Sequence, residues 1–170
     1  MLFKRRPRED EVAQQPQADA SGGYQADGAL KGELGLHHLW YLELCLREEL
    51  ARAGRADGIF SLACWRLNLL PGETPDPELL RKAAGLIAGR LRAYDVCARL
   101  DEERFVALLF DADQRNASTV AFRLKGDLQV QVSTAGRWQA GVATFPRDGV
   151  DGDSLIQTAF RRLDEDARAA

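Results

Sequence analysis

The sequence is poor in the residues that build metal and redox sites. Its 170 residues include two histidines, adjacent at His37-His38, and three cysteines, Cys45, Cys64 and Cys97. No CxxC occurs and the histidine pair has no spaced partner pair, so no zinc site is expected. Three widely separated cysteines inside apolar runs read as reduced, buried thiols in a cytoplasmic protein. Basic charge is not in excess: the formal net charge is −3 and the isoelectric point about 5.5. A general nucleic-acid binder carries a basic face instead, so no nucleic-acid partner is expected. No apolar run approaches the ~20 residues that span a bilayer, and no charged-then-apolar opening with a small-residue cleavage site appears.

What is present is globular in balance, with 45% hydrophobic and 29% charged residues. The length fits one domain plus a tail. Residues 1–30 are rich in Gln, Ala, Asp, Gly and Arg, lack a lasting apolar period, and read as a flexible N-terminal tail. Residues 31–170 form the domain. Leu2-Phe3 followed by Lys4, Arg5, Arg6 and Arg8 offers at most a weak contact with an anionic membrane surface, and a solubilising start is the preferred reading.

Periodicity places a helix from about Gly32 to Ala53, striped by Leu36, Leu39, Leu42, Leu46 and Leu50 and stopped by Gly54. Ile59 to Leu67 reads as a buried strand, and Asn68 to Pro75, with two prolines and a glycine, as a loop. Asp76 caps a helix with Pro77 at its first position, which runs to about Arg92. Val96–Leu100 and Phe105–Phe110, separated by the charged break Asp101–Arg104, read as a hairpin. Asp113 to Lys125 is a further helix ended by Gly126-Asp127. Leu128–Val132 and Arg137–Phe145 are expected as paired strands, and Asp151 to Arg168 as the last helix. Within this order lies βαββαβ, an α/β chain of the α+β kind with a ferredoxin-like core: a mainly antiparallel sheet covered by helices.

From the end of the second helix to the hairpin tip the chain reads Arg92-Ala93-Tyr94-Asp95, five residues, then Asp101-Glu102-Glu103-Arg104-Phe105. This resembles the GGDEF domains, which make cyclic di-GMP from two GTP molecules. In that family a helix ends in Arg-x-x-Asp, five residues follow, and Gly-Gly-Asp/Glu-Glu-Phe forms the hairpin tip. The spacing matches without a gap. The resemblance extends over about residues 33–168. Gly35 to Leu50 lines up with the opening segment, with His37, His38 and Leu39 at its Pro-Asn-Arg places. Gly141–Pro146 and Asp153–Ile156 resemble the closing strand and helix. The expected fold is therefore of the nucleotide-cyclase/GGDEF type.

The signature itself is degenerate. Asp101 and Glu102 stand at the glycine places, where the family needs backbone close to a triphosphate. Glu103 keeps an acid, Arg104 replaces one, and Phe105 is retained. Trp65 and Leu67 stand where active relatives carry an Asp-x-Asp on the first strand, and magnesium needs oxygen ligands. The resemblance thus implies no catalytic residues, no metal, no cofactor and no enzyme. Residual GTP binding would have to rest on Glu103.

The upstream motif is kept. In GGDEF proteins Arg-x-x-Asp forms the inhibitory site for a stacked dimer of cyclic di-GMP, often joined by an Arg eighteen residues after the signature Phe, which here is Arg123. An Arg fork can bond guanine O6 and N7 or stack on a base, and a carboxylate can accept from the N1–H and N2–H edge. Arg92, Asp95 and Arg123 are accordingly the expected ligand-binding residues. By itself the motif is also explained by a surface ion pair at a helix end. Arg90, Arg99 and Arg115 read as solvated residues that could add phosphate contacts, and Tyr94 as a core residue before a stacking one. The expected function is a cyclic di-GMP receptor that signals through an unidentified protein partner or a ligand-linked homodimer. The alternative is a ligand-independent interaction scaffold.

Overall fold

The central strand explains the layering. The computed structural model describes residues 30–70, 72–132 and 136–169; the tail read over residues 1–30, with its basic membrane-contact candidate, lies outside them except for its last residue. Strand β1 (Phe60–Asn68) is buried on alternate residues of both faces, so both faces of its sheet must be covered. Its neighbours are β2 (Val96–Arg99), β3 (Arg104–Phe110) and β4 (Arg137–Phe145), in the order β2-β3-β1-β4 with every pair antiparallel. Trp65 lies opposite Phe105 and Ala140, and Arg66 opposite Arg104 and Gln139.

Among the described residues four long helices cover this sheet: α1 (Leu39–Ala56), α2 (Pro77–Arg90), α3 (Gln114–Gln131) and α4 (Gly152–Ala169). Ala63, Trp65 and Leu67 point to a core shared with Ile87 of α2 and Leu124 and Leu128 of α3. Leu62 and Cys64 point the other way, to a core with Leu42 and Leu46 of α1 and Leu155 and Leu163 of α4. This is the expected α+β architecture, a βαββαβ core preceded in the chain by α1 and followed by α4. Local chemistry sets its boundaries. Asp76 accepts from the Glu78 N–H at 3.1 Å and Asp113 from the Asn116 N–H at 2.7 Å, each closing an otherwise open first turn.

Two expectations fail for stated reasons. No strand spans Leu128–Val132; α3 runs through Gly126-Asp127 to Gln131, and β4 pairs with β1 instead. Leu128 completes the buried stripe of Ala117, Ala121 and Leu124, and burying a Leu, about 1.5–3 kcal/mol, outweighs the roughly 1 kcal/mol cost of one helical glycine. Helix α1 begins at Leu39 and not near Gly32. Gly35 has φ +72°, which breaks a helix there, and the His37 N–H donates to the Cys97 carbonyl at 2.9 Å. The segment before α1 therefore covers the free edge of β2.

The other edge, β4, is covered by side chains. Gln129 Oε1 accepts from the Trp138 N–H at 2.9 Å, Asp166 Oδ2 from Ala140 at 3.0 Å, and Asp148 Oδ2 from Thr144 at 2.9 Å. Arg162 Nη1 donates to the Val142 carbonyl at 2.6 Å. Among the described residues no helix is long and apolar enough to cross a membrane.

Candidate functional site

Helix α2 stops at Arg90 because Leu91 adopts an extended conformation. The chain then makes a tight turn from Arg92 to Asp95, with the Asp95 N–H donating to the Arg92 carbonyl at 3.0 Å. The Asp95 side chain holds that turn from inside. Its Oδ2 accepts from the Arg92 N–H at 3.0 Å and its Oδ1 from the Phe110 N–H at 3.4 Å. Asp95 is 8% exposed. Burial pushes its carboxyl above the ordinary value, against the two N–H groups and the Arg92 charge that pull it down. The motif is therefore not a surface ion pair at a helix end: Asp95 is a buried clasp that binds Arg92 through the backbone.

The Arg92 guanidinium is left on the outside. Its Nη1 donates to the Tyr94 hydroxyl at 2.9 Å. Tyr94, expected in the core, is 56% exposed, because it occupies the middle of the turn whose two ends Asp95 holds. Arg90 Nε lies 3.4 Å from Asp127 Oδ2, which ties the α2 exit to α3. Arg123 stands one helical turn before Asp127, exposed and with no hydrogen bond or ion pair among the described residues. The structure thus joins Arg92 to Asp95 and sets Arg123 on the helix stretch docked at the same exit.

The hairpin tip is built differently from a phosphate cradle. Asp101 Oδ1 accepts the N–H groups of Glu103 and Arg104 at 3.0 and 2.9 Å, and its Oδ2 takes Arg104 Nε at 2.6 Å. Arg99 Nε donates to the Asp101 carbonyl at 2.7 Å and its Nη2 to the Glu102 carbonyl at 3.2 Å. Burial raises the Asp101 carboxyl, but the Arg104 and backbone donors prevail and hold it below the ordinary value. The Glu103 and Arg104 N–H groups, which could otherwise face a phosphate, serve the Asp101 carboxylate instead. The Glu102 side chain is exposed, and Phe105 is fully buried under α3.

A cavity of about 400 Å³ beside the tip is lined by Arg66, Asp101, Glu102, Glu103 and Arg104. Arg66 carries no motif of its own; its place opposite Arg104 in the β1–β3 register is the signal that finds it. Arg66 donates to Gln139 Oε1 at 2.7 and 2.9 Å and to Asp164 Oδ1 at 2.9 Å. Arg104 lies over the Phe160 ring at 4.7 Å, so both arginines sew the tip to α4. Trp65 and Leu67 are fully buried, and the Trp65 indole N–H donates to the Ala121 carbonyl at 3.0 Å. Magnesium requires hard oxygen ligands, and an indole, an isobutyl group and a guanidinium supply none. The residues present do not fit that ion. Among the described residues no three His, Cys, Asp or Glu side chains gather as a metal site.

The sheet order, the β2–β3 tip and the turn leaving α2 define a domain of the nucleotide-cyclase type. The family model "Diguanylate cyclase, GGDEF domain" matches residues 68–169, and the chain belongs to that family. Among solved structures, the FimX GGDEF domain from Pseudomonas aeruginosa is 21% identical, with 83% of this chain and 95% of that one covered and a TM-score of 0.71. The GGDEF domain of DgcB from Caulobacter crescentus, in complex with c-di-GMP, is 15% identical over 92% of this chain and 95% of that one, with a TM-score of 0.70. Diguanylate cyclase SiaD from Pseudomonas aeruginosa, in complex with its activator SiaC, is 23% identical over 85% of this chain and 60% of that one, with a TM-score of 0.70. At these identities the likeness is one of fold. No curated protein matches.

Proposed function

We propose that this is a catalytically silent GGDEF domain that receives cyclic di-GMP at the α2 exit and signals through a protein contact or a ligand-linked homodimer. The observation that carries the reading is the Arg92–Asp95 turn, whose buried clasp leaves a guanidinium in solvent beside the helix that bears Arg123. Arg92 and Arg123 supply forks for guanine O6/N7 or phosphate oxygens. Asp95 holds the turn and keeps lone pairs for a guanine N–H edge. The c-di-GMP complex of DgcB, a domain of the same fold, is consistent with this use. Silence at the tip follows from Asp101, whose carboxylate takes the donors and whose charge, with Glu102 and Glu103, repels a triphosphate.

Isothermal titration with cyclic di-GMP tests the reading. Wild type releases or absorbs heat on binding, and Arg92→Ala and Arg123→Ala each weaken it at least about tenfold, the worth of a lost bidentate pair. Absence of heat in wild type, or equal heat in all three, removes it.

One observation favours a second reading, a ligand-independent interaction scaffold: Arg92 already has an acceptor of its own in Tyr94. The activator complex of SiaD shows another GGDEF protein held by a partner. A partner complex unchanged by Arg92→Ala and by added cyclic di-GMP would support the scaffold.

A further inference from the structure

Tyr94 is the only aromatic side chain in the turn that leaves α2, and it is the exposed one. The clasp formed by Asp95 fixes both ends of the turn through Arg92 N–H, Arg92 C=O and Asp95 N–H. Ala93 and Tyr94 are the two residues left between them, so their side chains point outward whatever their polarity. A large aromatic held 56% exposed by a buried carboxylate is a fixed surface feature, unlike an aromatic on a loose loop.

The relation of Tyr94 to Arg92 is specific. Arg92 Nη1 donates to the phenol oxygen at 2.9 Å, whereas the guanidinium carbon lies 5.8 Å from the ring centroid. At that separation the guanidinium sits toward the hydroxyl edge, and the faces of the ring are not covered by it. One residue thus presents a flat aromatic face, and the next but one presents a donor fork held level with its rim. A purine stacked on that face would bring its O6/N7 edge toward the fork. Stacking is sequence-tolerant because every base has a π-face, whereas the fork selects guanine.

We infer that Tyr94 is the stacking platform for one purine base of the ligand. This rests on the receptor reading above and adds a residue to it. It assigns to affinity an aromatic face, which Arg92, Asp95 and Arg123 do not carry. The exposed turn position also means that changing the side chain leaves the buried clasp intact.

The test is a titration of cyclic di-GMP into wild type, Tyr94→Ala, Tyr94→Phe and Tyr94→Trp, with thermal melts to confirm that the variants are folded. Tyr94→Ala is expected to bind about tenfold or more weakly, while Phe and Trp, which keep the face, stay within about threefold. The Tyr94 ring protons of wild type are expected to move upfield on titration. Equal affinity of Tyr94→Ala and wild type overturns the platform while leaving the receptor reading in place. A Tyr94→Phe variant as weak as Tyr94→Ala overturns it as well, because the hydroxyl alone would then matter. No binding by wild type removes the receptor reading, and the platform with it.

Discussion

Asp101 and Arg104 close the hairpin tip on each other. Asp101 Oδ2 takes Arg104 Nε at 2.6 Å while Oδ1 takes the Arg104 backbone N–H at 2.9 Å. Where the family signature has a glycine, this chain has a side chain that serves as its own ligand. Asp101→Ala leaves two backbone N–H groups without that acceptor and is expected to cost about 1–2 kcal/mol in urea unfolding. An unchanged midpoint would mean water satisfies them equally well.

Restoring the glycines is expected not to restore chemistry. Asp101→Gly with Glu102→Gly opens the tip but leaves Trp65 and Leu67 at the places where the resemblance puts oxygen ligands. Incubation with GTP and magnesium is expected to yield no cyclic di-GMP above the buffer blank. Measurable product would contradict the proposal of a silent domain.

Acid stability follows from Asp148. Its two oxygens take the two Nη groups of Arg162 at 2.7 Å, and Oδ2 also takes the Thr144 N–H. Burial pushes the carboxyl up, but Arg162 and the Thr144 N–H outweigh it and hold it below the ordinary value. A carboxylate lowered in the folded state contributes stability that is whole above its unfolded value, about 3.9, and is lost as pH falls through the lowered one. Asp101 acts with the same sign. Asp95, raised by burial, acts with the opposite one: its contribution is present below about 3.9 and lost as pH rises through the raised value. Asp148→Asn is expected to be about 2–4 kcal/mol less stable at about pH 7, with the difference from wild type closing toward about pH 2. Urea melts across that range measure it, and a pH-independent gap would contradict the assignment.

Gly141 is needed for packing. A Cβ there would meet the Ala159 carbonyl oxygen and lie 2.7 Å from the Leu163 N. Both are backbone atoms of α4 and cannot rotate away. Gly141→Ala is expected to destabilise by about 3 kcal/mol or more, read as a lowered Tm. A neutral substitution would mean that α4 can shift off β4.

The side chains along β4 act as a barrier to edge pairing. Gln129→Ala combined with Asp166→Ala uncovers the Trp138 and Ala140 N–H groups, and uncovered edges template association. Sedimentation of the ligand-free double variant is expected to show concentration-dependent self-association that wild type lacks. Identical profiles would show that the edge is protected by other means.

Much of the fold was legible because apolar period and turn chemistry agreed. Asp76-Pro77 starts α2 as read, and the β2–β3 hairpin and β1 lie within a residue of their expected bounds. Gly126 misled because a glycine on an open helix face terminates nothing; no atom lies within 4 Å of where its Cβ would be. Tyr94 misled because hydrophobic size points inward on average, while a clasped turn overrides size. Arg66 was invisible because its meaning lies in the strand opposite it. The contrast between Asp95 and a surface ion pair was equally out of reach, since only burial separates the two.

The most direct measurement is a crystal structure of the protein with cyclic di-GMP. It should show a guanine against the α2 exit, with Arg92 turned from Tyr94 Oη to the base and Arg123 on a guanine or phosphate oxygen. Ligand density at the Asp101–Arg104 tip instead, or an empty corner with Arg92 still on Tyr94, would contradict the account.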